Sequence, residues 1–209
     1  PYELDGYPVT SIASTIFYNK GLNTLILPNT IKIIEALPAG SNWTGAFSYN
    51  NLTELVIPEG VEILGKASFY NNPIENVTFP STLKVIEFDS FSENNITSVT
   101  FPEGLTTIGG YAFNNCNITS LVIPNSVTRI EGVAFRSNLI ASLTLGTGLT
   151  SIGSYAFANN KLTSVEIPNS VTSIGSYAFA HNPLTSARVP TSTVIQSNAF
   201  PATTVITRY

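Results

Sequence analysis

The sequence predicts a mainly-β repeat solenoid of about nine 22-residue coils, with a parallel sheet and short turns or 3-10 segments. An apolar triplet ends eleven residues after each recurring phenylalanine, usually in proline. Charged residues make up only 11% of the chain, and Asn, Ser and Thr supply most of the polarity, which favours strands and turns. The phenylalanines that recur every 22 residues are Phe47, Phe69, Phe91, Phe113, Phe135, Phe157 and Phe179.

The first extended segment of a coil is clearest in LTSVEIP, residues 162–168. Val165 and Ile167 alternate with Ser164 and Glu166, which is the period of two expected for a strand with one buried face. Pro168 follows, and a proline cannot donate a hydrogen bond to a neighbouring strand. We therefore expect a short strand that ends at the proline.

A turn and a second extended segment complete the coil. The sequence after the proline is typical of a tight turn, and VTSIG (171–175) then predicts a short strand with Val171 and Ile174 facing inward. SYAF (176–179) is too short for a helix and predicts a turn that inserts Phe179 into the core. One coil cannot bury its apolar face alone, so coils should stack about 4.8 Å apart with parallel strands.

An asparagine lies three residues after most of the recurring phenylalanines. At an inward position, its side chain can bond to backbone groups of its own and neighbouring coils that would otherwise be buried without partners. Cys116 takes the same place in one coil, so we predict a buried, unreactive thiol rather than a catalytic one. The asparagines are Asn50, Asn72, Asn94, Asn138, Asn160 and Asn182.

The register of the main ladder of strands is ambiguous. Residues 174–184 also fit a register in which Tyr177 is buried. The same column contains Asp89 and Asn198, however, and a core position rarely accepts aspartate. We therefore predict the main ladder at TSVEIP and expect Tyr111, Tyr155 and Tyr177 to lie outside or half outside the core.

The repeats run through the whole chain, so we expect residues 1–209 to form a single solenoid. Residues 1–20 match part of a repeat and predict a partial N-terminal coil, and residues 191–209 predict a C-terminal cap. Between Pro28 and Pro58 the spacing is eight residues too long, which indicates an insert near residues 37–44.

The run L-T-S-V-x-I-P-x-S-V-T-S-I-G-x-x-A-F-x-x-N/C resembles the bacterial leucine-rich repeats of the BspA-like type, from Val9 to Phe200. The resemblance implies a right-handed, curved leucine-rich-repeat solenoid on a secreted or cell-surface protein. It also implies adhesion or the binding of a protein or glycan outside the cell, without identifying the ligand.

Composition and charge argue against several other functions. The net charge is −4, and counting side chains gives −7 for residues 1–103 and +3 for residues 104–209. No basic stripe interleaved with aromatic residues suggests nucleic-acid binding, and no apolar run is long enough to insert into a membrane. We find no catalytic constellation, metal-ligand cluster or phosphate loop, and therefore expect a non-catalytic monomer without a cofactor.

Three of the candidate ligand-binding residues lie in or after the insert, where the chain departs from the repeat. The insert carries Trp43, the only tryptophan, and Tyr49 and Glu54 follow it. Exposed loops on a rigid scaffold often carry function, and tryptophan is a favoured anchor. Two alternatives stay open, because Trp43 can instead cover its own coil, and the outward Ser/Thr columns of the strands can serve stability or binding. The remaining candidates are Tyr111, Tyr155 and Tyr177.

Two function classes remain from the sequence. The first is a surface or secreted module that binds a protein or glycan in adhesion. The second is a structural spacer that displays another part of a larger surface protein.

Overall fold

The computed structural model describes residues 3–35 and 44–209, which form a parallel β-solenoid of about nine turns. No residue in these two ranges is helical, and the coils are joined by tight turns. The strands, in chain order, are β1 (Glu3–Leu4), β2 (Tyr7–Pro8), β3 (Ser11–Ile12), β4 (Ile33–Ile34), β5 (Glu54–Val56), β6 (Ile63–Leu64), β7 (Asn76–Thr78), β8 (Val85–Ile86), β9 (Thr107–Ile108), β10 (Ser120–Val122), β11 (Arg129–Ile130), β12 (Ser142–Thr144), β13 (Ser151–Ile152), β14 (Ser164–Glu166), β15 (Ser173–Ile174), β16 (Ser186–Val189), β17 (Val194–Ile195) and β18 (Val205–Arg208).

The continuous ladder is formed by the second segment of each coil. Nine two-residue strands pair in parallel in the order β17-β15-β13-β11-β9-β8-β6-β4-β3. The segment corresponding to TSVEIP forms longer strands, but these belong to three separate sheets, β5-β7, β10-β12 and β14-β16-β18. The prediction that TSVEIP carries the main ladder was therefore wrong, and the reason given for it fails as well, because Asp89 is buried in the column that was judged unable to accept aspartate.

At two glycines beside the nine-stranded sheet, neighbouring coils come too close for a side chain. A Cβ on Gly153 would lie 2.4 Å from the backbone N of Gly132, and one on Gly175 would lie 2.4 Å from the backbone N of Ser154. A side chain at either position would force the coils apart. Glycine therefore follows β13 and β15 because neighbouring coils leave no room for a Cβ.

The seven recurring phenylalanines form the centre of the core, as predicted. Each is fully buried, and the rings of neighbouring coils are stacked with centroids 5.3–5.5 Å apart. Inward side chains of both strand segments, such as Leu121 and Ile152, pack around this column. The turn predicted at SYAF is confirmed, since residues 176–179 form a turn and Phe179 is buried.

The asparagine column links each coil to the preceding one. The Nδ2 amide of Asn160 donates to the carbonyls of Phe135 at 2.9 Å and Phe157 at 3.1 Å. Its Oδ1 accepts a hydrogen bond from the amide of Ile140 at 3.0 Å. The predicted role is thus confirmed: one buried side chain satisfies backbone groups on two coils.

Cys116 occupies this column, is buried, and contacts the carbonyl of Phe91 through Sγ at 3.3 Å. Burial raises the pKa of its thiol to about 12, so the thiol stays protonated near neutral pH. The sulfur does not replace the asparagine fully. Within the described ranges the amide of Ile96, which corresponds to that of Ile118 or Ile140 in later coils, donates no hydrogen bond.

The two ends of the chain differ from the repeats. β1 and β2 form an antiparallel hairpin at the N-terminal end, and β18 pairs in parallel with β16 at the other. Arg208 donates to the carbonyls of Pro190 and Thr193, at 2.7 and 3.0 Å. Of the predicted insert near 37–44, residues 37–43 lie outside the described residues.

The central phenylalanines should contribute strongly to stability. We expect Phe113→Ala and Phe157→Ala each to lower the free energy of unfolding by about 3–5 kcal/mol, because each leaves a cavity between two stacked rings. Phe17→Ala is the matched control: Phe17 stacks on Phe47 but is 39% exposed, so its loss should cost much less. Urea titrations measure the difference, and equal stability of all three variants would contradict the assigned core.

Substitutions in the asparagine column should also lower the stability of the fold. We expect Asn160→Ala to lower the free energy of unfolding by about 2–4 kcal/mol, because it leaves buried backbone groups without partners. Cys116→Asn should instead raise the free energy of unfolding, since the Oδ1 of an asparagine at this position could accept a hydrogen bond from the backbone amide of Ile96. Thermal melts of both variants test this, and the interpretation is wrong if Asn160→Ala melts like the wild type.

Candidate functional site

The turn around each phenylalanine exposes side chains through two left-handed residues. The residues two before and two after the phenylalanine have φ between +50° and +68° in nearly every coil; for Phe113 they are Tyr111 and Asn115. A non-glycine residue with positive φ is uncommon, and here the conformation recurs from coil to coil. This turn face therefore presents variable side chains on a constant backbone.

A groove of about 330 Å³ lies on the turn face in the acidic half of the chain. Larger depressions lie beside the strands, one between residues 143–147, 166–170 and Tyr209 and one along β11, β13 and β15. The groove combines aromatic and acidic side chains from neighbouring coils. It is lined by Tyr49, Tyr70, Asp89, Ser92, Glu93, Tyr111 and Asn114.

Tyrosines form both ends of the groove. The ring of Tyr49 meets those of Tyr18 and Tyr70 edge to face, with centroids 5.5 and 5.3 Å away. Tyr111 packs at a tilt against Phe88, at 5.2 Å. These contacts fix the rings, so a ligand would meet preformed aromatic walls.

Two carboxylates lie between the tyrosines. Asp89 is only 3% exposed, and burial raises the pKa of its carboxyl to about 6, against the opposing effects of Ser92 and Lys66. One oxygen of Glu93 accepts a hydrogen bond from Asn115 at 2.6 Å. Neither carboxylate belongs to any of the ion pairs among residues 3–35 and 44–209.

Tyr70 reports the negative potential of the groove. Burial, the neighbouring Tyr49 and the charges of Asp89 and Glu93 together raise the pKa of Tyr70 to about 12. Both carboxylates therefore act on the same hydroxyl. The stacking of the coils explains this effect, because Tyr49, Tyr70 and the two carboxylates belong to three successive turns.

The structure brings together only some of the residues predicted from sequence. Tyr49 and Tyr111 line the groove, whereas Glu54 is exposed on β5. Tyr155 and Tyr177 form a second cluster, stacked at 4.9 Å. Trp43 lies outside the described residues.

The exposure predicted for the tyrosines is confirmed, but its premise was wrong. Tyr155 is 36% exposed, and Tyr111 and Tyr177 are half-buried. Asp89, in the same column, is nevertheless buried. The positive φ places this column at the rim of the turn, where the neighbouring side chains decide how much each residue is covered.

Sequence reasoning missed most of the groove. Tyr70, Asp89, Ser92, Glu93 and Asn114 were not selected as candidates, although each lies within two residues of a recurring phenylalanine. Alignment of these positions across three coils would have revealed the acidic and aromatic cluster. Within the described ranges, no three His, Cys, Asp or Glu side chains gather to hold a metal ion.

The buried Asp89 carboxylate should destabilise the fold at neutral pH. A raised folded-state pKa means that stability is fully present below the unfolded pKa, near 4, and is lost as the pH rises through about 6. We expect Asp89→Asn to stabilise the protein by about 1 kcal/mol at pH 7, allowing for solvent screening in the groove, because asparagine is uncharged and accepts positive φ.

Thermal melts at pH 7 and at pH 4 check this prediction. The gain of Asp89→Asn should largely disappear at pH 4, where the wild-type carboxyl is protonated in the folded state and about half protonated in the unfolded state. Glu62→Gln, at an exposed carboxylate, should show no such gain. A stabilisation by Asp89→Asn that is the same at both pH values would contradict the electrostatic cause.

The chain is similar to several solved structures of leucine-rich repeat proteins. A T. pallidum leucine-rich repeat protein is 22% identical over 87% of this chain and 73% of its own, with a TM-score of 0.56. A leucine-rich repeat protein from Bacteroides ovatus is 17% identical over 96% of this chain and 76% of its own, with a TM-score of 0.42. A leucine rich cell surface protein from Faecalibacterium prausnitzii is 18% identical over 100% and 86%, with a TM-score of 0.37.

The sequence itself decides the family. Among curated proteins, no sequence matches the chain significantly. The profile of the BspA type leucine rich repeat region, which contains six copies of the repeat, matches residues 10–141 and 84–207. Together with the phenylalanine and asparagine columns, this match shows that the chain belongs to the BspA-type leucine-rich repeat family.

Proposed function

We propose that this chain is a non-catalytic binding module of a secreted or cell-surface bacterial protein, which recognises a protein or glycan in adhesion. The observation that carries the proposal is the groove between Tyr49 and Tyr111. The groove gathers aromatic and acidic side chains from neighbouring coils, and the repeat does not require either kind there. Family membership supports the surface location.

The energetics of Asp89 support a binding role. A carboxylate whose pKa is raised by burial lowers stability at neutral pH, and groups with shifted pKa values concentrate at functional sites. Tyrosine, moreover, is enriched among residues that dominate binding energy. A site that costs stability without a ligand is consistent with selection for binding.

The chemistry of the described residues favours binding over catalysis. Cys116 is buried and protonated, so it cannot act as a nucleophile. Among residues 3–35 and 44–209, no helix is long and apolar enough to cross a membrane.

The insert that carries Trp43 belongs to the same proposal. Tyr49 lies on the coil that follows the insert and forms one end of the groove. We propose that residues 37–44 and the groove contribute to one recognition patch. Acidic residues are also frequent around the insert: residues 1–103 carry 11 of the 13 in the chain.

The spacer function is the alternative, and a specific observation favours it. The hydroxyls of Thr150 and Thr172 donate to carbonyls of the preceding coil, at 2.9 and 3.1 Å. These threonines are thereby engaged in holding coils together. A rigid stack whose surface hydroxyls serve stability would display another domain equally well.

A binding screen against extracellular-matrix proteins and glycans tests the proposal, followed by variants of the tyrosine column. Tyr111→Asn should weaken an identified ligand by roughly 2 kcal/mol or more. Tyr155→Asn is the matched control, because it has the same column and the same positive φ. Loss of affinity only in Tyr155→Asn would move the site to the second cluster, and a screen without any ligand would favour the spacer.

The insert is tested with the same ligand. Trp43→Ala and deletion of residues 37–44 should each reduce affinity by roughly 2 kcal/mol or more while the melting curve is retained. Unchanged affinity in the deletion variant would remove the insert from the patch, and would leave the groove as the site.

A further inference from the structure

Core positions are exposed at both ends of the solenoid. The phenylalanine column is fully buried from Phe47 to Phe179, but Phe17, which begins it, is 39% exposed. At the other end, Ile206 continues the inward column of β14 and β16 and is 40% exposed, whereas its neighbour in that column, Ala187, is buried. These side chains are exposed because no further coil of the described residues covers them, although their positions belong to the core.

The N-terminal end has an apolar hollow of about 410 Å³ beside β3. Elsewhere, this surface of a coil is covered by the coil before it. Ile16 is exposed here, although most other coils place a buried alanine, such as Ala156, at the same position. The hairpin of β1 and β2 does not line the hollow, and its strand residues are exposed. The lining includes Ile12, Ile16, Phe17, Leu25 and Leu27.

The C-terminal end is an open strand edge. β18 is the last strand of its sheet, and all four of its residues are exposed. Val205 and Ile206 supply large apolar side chains there, and Val194 is exposed on β17, at one edge of the nine-stranded sheet. Phe200 is buried, in contrast to Phe17, so the two ends present different surfaces. Edge strands with exposed apolar side chains are prone to pair with another chain.

Charge and strand direction both favour contact between opposite ends. Counting side chains gives −7 for residues 1–103 and +3 for residues 104–209, so two N-terminal ends in contact would bring like charges together. The nine-stranded sheet is parallel, and β3 and β17 are its two edges. A second copy in the same orientation therefore continues the parallel ladder from β17 of one copy to β3 of the next.

We infer that copies of this chain associate head to tail, with β17 and β18 of one copy placed against the hollow beside β3 of the next. Ile206 and its neighbours then cover Phe17 and Ile16 in place of a further coil. Because the contact joins two different surfaces, each pair of copies keeps one free hollow and one free strand edge, and association continues into an open filament. This inference holds for a binding module and for a spacer alike, and it replaces the monomer expected from the sequence.

Sedimentation velocity of the full chain, over a roughly hundredfold range of concentration, tests the association. We expect the wild type to form elongated species that grow with concentration. Ile16→Lys in the hollow and Ile206→Lys at the strand edge should each weaken association about tenfold or more, because each places a charge in an apolar contact. A wild type that stays monomeric over the whole range would overturn the inference, in favour of a cover formed by residues of the same chain.

Val122→Lys is the matched control for the end variants. Val122 is an exposed valine on β10, in the middle of the stack, so a lysine there should leave association unchanged. If Val122→Lys weakens association as strongly as the end variants do, the contact lies along the side of the stack and the inference is wrong.

A mixture of the two end variants tests the direction of the contact. Ile16→Lys keeps its strand edge and Ile206→Lys keeps its hollow, so an equimolar mixture should form a heterodimer and no larger species. If Ile206→Lys alone associates like the wild type, two N-terminal ends are in contact. If Ile16→Lys alone does so, two C-terminal ends are in contact. Either result would overturn the head-to-tail arrangement.

Thermal melts at low concentration separate the loss of association from the loss of the fold. If Ile206→Lys melts below the wild type, Val194→Lys takes its place, because Val194 is more exposed and lies on the neighbouring edge strand. Ile26→Lys likewise replaces Ile16→Lys, since Ile26 also lines the hollow and is almost fully exposed. Failure of these folded variants to weaken association would contradict the inference.

Discussion

The architecture depends on the satisfaction of buried backbone groups between coils by a single asparagine side chain per coil. A 22-residue coil is too short to close its own hydrogen bonds, and the phenylalanine beneath the turn excludes water from the carbonyls around it. Asn72, Asn94, Asn138, Asn160 and Asn182 each bind carbonyls of their own and the preceding coil. The stacked rings then add their burial to a turn whose polar groups are already paired.

Much of this fold could be predicted from the sequence because each structural need falls on a fixed position. Pro168 follows a strand, Phe179 enters the core and Asn160 binds backbone, and nearly the same residue type takes each of these places from coil to coil. The ladder of paired strands was placed on the wrong segment because pairing depends on the approach of the coils. Gly153 and Gly175 leave no room for a Cβ against the preceding coil, but Glu87, Glu131 and Gln196 follow other strands of the same sheet, so glycine alone does not mark the ladder.

The candidate site was less accessible to sequence reasoning, for a physical reason. Asp89 and Tyr111 occupy the same column, yet one is buried and the other half-exposed. The position in the column fixes the backbone conformation, but the exposure of the side chain depends on the residues of the neighbouring turns. Tyr70 and Glu93 therefore gain their significance from neighbours 20 or so residues away, which a single repeat does not reveal. Tyr49 was selected for its closeness to the insert, and only the register explains its place in the groove.

The nine-stranded sheet also has a mechanical consequence. Its strands contain two residues each, and each coil contacts only its neighbours, so a pulling force applied to the chain ends would load one coil interface at a time. The stack would then lengthen by peeling coil after coil, at a force set by a few hydrogen bonds and one phenylalanine ring. A protein tethered between a cell and a moving substrate would thereby yield in small steps and could re-form each coil when the tension falls.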